Sequence, residues 1–361
     1  MNDANELISF IASMSGEGNL RVEENLGEGY VRLRVSEAER RQAKHDIQHV
    51  EDIVIEMLRN ARDAGADKVY LATTKEEGVR TLLFLDNGSG VPQDMQERIF
   101  DARVTSKLES MKMDRWGVHG RGMALFSIKQ NTDEARIVTS GVDLGSAFKV
   151  CVATDRLGER ADQSSWPQAV KDEDGRYVCA RGPHNIIRAA CEFALEELRS
   201  CDVYLGSPSE IAATLYAQAS SRLDTSRLLF IDDECELPVI DRLGLASDAE
   251  DFIRICSGLG LEMSERTAHR ILSGQIKPVR GVSARLLRER DSTSHAPAPV
   301  DLAKDRRGLR IAKDDMAQFS RAVERDFNDL AARYYLNLCG DPKIRVSRDR
   351  ITVTFDLAKE E

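Results

Sequence analysis

The sequence predicts an α+β protein whose parts follow one another along the chain. Three observations carry this. Strand-like runs alternate with helical periodicity up to about residue 235, the pattern over 237–290 is helical only, and a last helix and hairpin follow a polar, proline-bearing stretch. The expected division is an N-terminal extension with a hairpin (1–44), an α/β domain (45–235), a helical module (236–290), a linker (291–303) and a small α+β domain (304–361).

Each element has a local reason. Residues 19–35 alternate like a hairpin with Gly27-Glu28-Gly29 at its turn. Helical spacing of Val50, Ile53, Val54, Met57, Leu58 and Ala61 predicts one long helix over 45–64, apolar on one side. Strands are expected at 68–74 and 80–85, then a glycine-rich zone to Gly122, a helix over 123–130, and strands at 136–139 and 147–153. Further on come a helix over 186–199, a strand at 202–205 and a helix over 209–221. A helix over 249–257, a glycine turn at 258–260 and a helix N-capped by Ser264 and running to Leu272 make up the helical module. After the linker a helix over 313–338 leads to a hairpin, 343–346 with 351–355, turning at 347–350.

Composition excludes several classes. With 42% hydrophobic and 31% charged residues, 9 Pro and 24 Gly in 361 residues, the chain is neither disordered nor collagen-like. No apolar run approaches the roughly 20 residues of a membrane helix, and the start, Met1-Asn2-Asp3-Ala4-Asn5-Glu6, lacks the basic and apolar regions of a signal peptide. A cytoplasmic protein with no membrane partner is expected. Seven cysteines without a C-x-x-C pair suit neither a zinc site nor a disulfide framework. The net charge of −10 is uneven: residues 266–350 hold 19 basic and 11 acidic side chains, a net +8, against −18 for the remainder. A basic C-terminal third is compatible with nucleic-acid contact.

Three motifs carry chemistry. On the polar side of the 45–64 helix, Glu56, Asn60 and Asp63 share one face. After an apolar strand stands Asp86-Asn87-Gly88-Ser89-Gly90, where glycines let the backbone approach a flat ligand while the carboxylate accepts from an exocyclic amine. Third, Gly117-Val118-His119-Gly120-Arg121-Gly122 leads into a helix, and glycines opening a helix leave backbone N–H groups for phosphates. Singly, each reads as a solvated face, a plain turn or a weak loop signal.

In this order and at these gaps, the three resemble the GHKL ATPase superfamily of gyrase B subunits, Hsp90 chaperones, histidine kinases and MutL proteins, over about residues 45–155. Thr105-Ser106-Lys107 and Arg121 to Ile128 resemble MutL, although Met123 stands where close MutL relatives carry Glu, and G-x-H-G-x-G is similar to the type II topoisomerase wording. The resemblance implies a Bergerat-type α/β sandwich, a mixed sheet with helices on one face, that binds ATP and Mg²⁺. It implies Glu56 as general base, Asn60 as Mg²⁺ ligand, Asp86 as acceptor for the adenine amine and Ser146 as the hydroxyl beside it. Gly88 and Gly90 would flank the adenine, while Ser106, Lys107 and the backbone of Gly117, Val118, His119, Gly120, Arg121, Gly122 and Met123 would wrap the phosphates. Glu56, where histidine kinases usually carry Asn, favours transfer to water over transfer to His45 or His49, which lie on the same expected helix.

A slow ATPase that closes its 103–122 lid and works as a homodimer is therefore expected. Alternatives are a nucleotide-gated DNA- or protein-binding regulator and a histidine- or serine-kinase-like phosphotransferase acting on a protein partner of unknown identity. For the DNA version, the helix-turn-helix spacing of 249–272 nominates Arg266, Thr267, His269 and Arg270. Gln275-Ile276-Lys277 superficially resembles a γ-phosphate lysine motif of gyrase-like relatives, with an exposed loop lysine as the plainer reading; Lys304, Lys313 and Lys343 are equally open.

Overall fold

The computed structural model describes residues 22–106, 112–119, 122–223, 233–287, 313–331, 336–346 and 351–359. Two compact units result, Met1–Glu289 and Arg290–Glu361.

The first described elements of the first unit are the hairpin strands β1 (Val22–Gly27) and β2 (Tyr30–Leu33), turning at Glu28-Gly29. Helix α1 (Glu37–Asp46) follows, opened by a capping box in which the Ser36 hydroxyl accepts from Glu39 N–H and the Glu39 carboxylate accepts from Ser36 N–H. Helix α2 (Val50–Asp63) is separate from it. The single helix expected over 45–64 is thus broken at Ile47, whose ψ is 107°, because Asp52 captures the N–H groups of Gln48 and His49, each at 2.8 Å. His45 lies in the last turn of α1 and His49 is the N-cap residue of α2, so the two histidines do not share a helix.

Strands β3 (Lys68–Glu76) and β4 (Val79–Asp86) form the first half of a five-stranded sheet. Next come β5 (Val104–Thr105), which extends the N-terminal hairpin, and the small hairpin β6 (Lys112–Asp114) and β7 (Gly117–His119). Helix α3 (Ala124–Asn131), β8 (Glu134–Gly141) and β9 (Gly145–Ala153) lead to a hairpin that the sequence pattern did not reveal, β10 (Gln168–Lys171) with β11 (Tyr177–Arg181). Then follow α4 (Ile186–Glu196), β12 (Asp202–Gly206), α5 (Pro208–Arg222), α6 (Ala249–Gly258) and α7 (Glu265–Leu272). The main sheet runs β12-β3-β4-β9-β8, with β12 parallel to β3 and the other neighbours antiparallel.

Alternation along the strands divides two cores. Val69, Leu71, Leu82, Phe84, Val150 and Val152 face α2, α3 and α4, whereas Tyr70, Ala72, Leu83 and Leu85 face α5, α6 and α7. The sandwich of sheet and helices is present, and a second helical layer covers its other side. The helical module expected at 236–290 is correspondingly not separate: Phe252, Ile255, Ala268 and Ile271 are buried in the core under that side of the sheet. Cys191, Cys201 and Cys256 are buried, and burial pushes the Cys201 and Cys256 thiols up to about 12, as befits small core residues. Among the described residues no helix is long and apolar enough to cross a membrane.

In the second unit, α8 (Lys313–Ala331) precedes β13 (Leu336–Leu338), β14 (Lys343–Val346), β15 (Ile351–Thr354) and β16 (Leu357–Lys359). The helix ends earlier than the expected residue 338, because Leu336–Leu338 pairs with Leu357–Lys359. The hairpin β14–β15 forms as expected; its turn at 347–350 and the linker at 291–303 lie outside the described residues.

Candidate active site

A cavity of about 610 Å³ opens beside α2 on the side of the sheet that carries Phe84. Its wall includes Glu56, Asn60 and Asp63 of α2, Asp86 and Gly90 at the end of β4, Ser106, Gly122 and Met123, and Ser146 of β9. The apolar side of α2 packs Ile53, Val54 and Leu58 into the core, which turns its polar face outward to this space.

Asp86 and Ser146 are direct partners in the β4–β9 ladder, so both stand at one level of the cavity wall, at 4% and 3% exposure. Asp86 Oδ1 accepts from Gly88 N–H at 2.8 Å. The Ser140 hydroxyl donates to Gly145 O at 2.9 Å, so the 2.9 Å contact between the two serine hydroxyls takes its proton from Ser146. Ser146 is left with acceptor capacity. Gly88 does not line the cavity; it packs on the end of α2, where a Cβ would come within 2.9 Å of Ala64 Cβ. Gly90 has φ +68°, and a Cβ there would lie 1.8 Å from Gly141 O. We therefore expect Gly90→Ala to cost at least about 2 kcal/mol through strain and overlap. A urea midpoint equal to that of the wild type would contradict this.

The glycine motif is arranged differently from the sequence expectation. Gly117, Val118 and His119 do not open a helix; they form β7, with Asp114 opposite Gly117. The helix starts at Ala124, after Met123, which offers no side-chain cap to the first turn. Gly122 (φ +67°) accepts from Arg103 N–H at 2.8 Å. Lys107, Gly120 and Arg121 lie outside the described residues.

Asn60 Nδ2 is buried and without a hydrogen-bond partner, so this amide is not committed to the protein. Among the described residues, no three His, Cys, Asp or Glu gather to hold a metal. A divalent ion beside Asn60 would take most of its ligands from phosphate and water, which suits Mg²⁺.

Several wall residues escaped the sequence reading. Tyr30, Glu39, Gln42 and Asp46 bring the N-terminal hairpin and α1 to the cavity. Burial pushes the Tyr30 phenol up, against a hydrogen bond with Ser106. Glu39 pairs with the buried Arg103; burial raises its carboxyl, but bonds from Ser36 and Arg103 outweigh that and hold it below the usual value. The Ser36-x-x-Glu39 capping box was the available signal for α1. Arg59 and Arg62, beside Asn60 in the first motif, join Glu56 and Asp63 to Asp114 of β6.

Residues 47–147 match the family described as histidine kinase-, DNA gyrase B-, and HSP90-like ATPase. That stretch is similar to a GHKL ATPase domain. It is also similar to DNA mismatch repair proteins MutL. That of Brucella abortus (strain S19) is 34% identical over 112 residues, 31% of this chain and 18% of that protein. Those of Thermodesulfovibrio yellowstonii (32% over 107 residues, 29% and 19%) and Pediococcus pentosaceus (31% over 115 residues, 31% and 17%) are alike. The chain spans under a fifth of the length of these relatives. The GHKL segment contains every wall residue from α2 to Ser146, while the edge strand β12 and helices α4 to α7 come from beyond it.

On the far side of the sheet, α6 and α7 form a helix pair joined through Gly260 (φ +81°). Ala268 and Ile271 are buried; Arg266, His269 and Arg270 are exposed, and Thr267 contacts the Ser264 cap at 3.0 Å. Ile276 packs into this second core, so Lys277 lies across the sheet from the cavity of its own chain.

Proposed function

We propose that the cavity binds Mg·ATP and that the domain hydrolyses it slowly, using nucleotide binding to drive a conformational or dimerisation switch. One observation carries this reading: Glu56, Asn60, Asp86 and Ser146, drawn from three separate elements, meet on the wall of one cavity. Asp86 accepts from the adenine amine, and Ser146 offers an acceptor beside it. Asn60 presents its amide oxygen to Mg²⁺, which neutralises phosphate charge when bound. Glu56 accepts a proton from the water that attacks the γ-phosphate. The uncapped first turn of α3 and Ser106 face the phosphates, helped by the helix dipole. Movement of the 103–122 lid and dimer opening, rather than chemistry, set the rate. Phosphate release from Mg·ATP by the full chain, stopped by chelating Mg²⁺, tests the reading; no release and no ATP binding would refute it.

The exposed Arg266, His269 and Arg270 on α7 favour a second layer of function, contact with duplex DNA coupled to the nucleotide state. Fluorescence anisotropy at two salt concentrations checks it. Binding that weakens as salt rises, and weakens again in Arg266→Glu/Arg270→Glu, is expected. No salt-dependent binding would remove DNA from the account.

A further inference from the structure

Helix α2 carries the buried Arg59 and the half-buried Arg62 on either side of Asn60, and both reach the β6–β7 hairpin. Arg59 Nη1 donates to Glu56 Oε1 at 2.7 Å. Its other edge forms a two-pronged pair with Asp114, Nε to Oδ2 at 2.9 Å and Nη2 to Oδ1 at 3.0 Å. Arg62 Nη1 adds a bond to Asp114 Oδ2 at 3.2 Å and one to Glu197 at 3.3 Å, while its Nε holds Asp63 at 3.0 Å. The Arg59 and Asp114 side chains are 3% and 7% exposed, so these bonds are little screened by water. Beside them Trp116 stacks on Phe193 of α4, with ring centroids 6.3 Å apart. The hairpin is therefore docked on two helices, and its carboxylate grips the guanidinium that grips Glu56.

A guanidinium is a rigid planar fork. With one edge fixed by Asp114, Nη1 is fixed too, and with it the carboxylate oxygen that it holds. We infer that Asp114 and Arg59 are positioning residues for Glu56, through which docking of the β6–β7 hairpin sets the orientation of the base. Loss of the hairpin carboxylate removes the two bonds that fix the Arg59 fork, and the Glu56 oxygen it holds is no longer held in one orientation. Turnover then falls while nucleotide affinity, which rests on other wall residues, is kept. The inference depends on Glu56 being the base.

The test uses the full chain with Asp114→Asn, Arg59→Gln, their combination, and Glu56→Ala. Asp114→Asn is expected to lower kcat by about 10²-fold, the lower end of what a general base supplies, with the Kd for ATP within about threefold of wild type. The double variant is expected to be no slower than the slower single variant, since both act through one contact. Wild-type kcat in Asp114→Asn, or losses that multiply, would overturn the relay even with Glu56→Ala inactive. Wild-type turnover in Glu56→Ala would instead refute the base assignment. A second readout is independent of turnover. In a Trp166→Phe background, acrylamide quenching of Trp116 should rise in Asp114→Asn and stay unchanged in Glu56→Ala; unchanged quenching in Asp114→Asn would show that this carboxylate does not dock the hairpin.

Discussion

Glu56→Ala is expected to bind Mg·ATP with wild-type affinity and to lose phosphate release by about 10²–10⁴-fold, the range of a positioned general base. The side chain stands on the cavity face of α2 and is 22% exposed, so truncation opens no void in the core. Arg59 keeps its two bonds to Asp114, and the buried guanidinium is not left unpaired. Stability should therefore change little, and the loss should fall on kcat alone, the signature of an interaction made in the transition state. Phosphate release and calorimetric ATP titration of the same preparation check both halves. Turnover at the wild-type rate would show that another group activates the water.

Asp86→Asn should do the reverse and weaken ATP binding while leaving the catalytic groups in place. Asp86 is 4% exposed, and one carboxylate oxygen is already held by Gly88 N–H. An asparagine can keep that bond with its carbonyl, which points its NH₂ group at the adenine amine, a donor facing a donor. An unmet buried donor costs about 1–3 kcal/mol, and here both partners lose an acceptor, so affinity should fall by at least about tenfold and up to several hundredfold. The Asp86–Ser146 ladder pairing should survive, because it rests on backbone bonds. Unaltered ATP affinity, measured by calorimetry, would place the adenine elsewhere.

Local chemistry made the site legible. Glu56 and Asn60 are one helical turn apart, and Asp86 to Gly90 follow a strand directly, so periodicity and turn residues located them. Arg59 and Asp114 are 55 positions apart, and no local rule joins them. Ser36 and Glu39 announce helix α1, but Ile47 falls at helical spacing with Val50 and Val54 and hides the break between the two helices. The second helical layer also had a trace. Leu82-Leu83-Phe84-Leu85 is apolar at every position, as in a strand covered on both faces. A strand facing solvent on one side would alternate. The fate of 336–338 could not be read from its own residues, since its partner, 357–359, supplies the pairing.

The central claim is that one cavity beside α2 takes Mg·ATP, with the adenine on Asp86. The most direct measurement is a calorimetric titration of the full chain and of Asp86→Asn with a non-hydrolysable ATP analogue, with and without Mg²⁺. The account predicts saturable binding of one nucleotide per chain, strengthened by Mg²⁺ and at least about tenfold weaker in Asp86→Asn. Absence of binding to the wild type, or equal binding to both proteins, would contradict it.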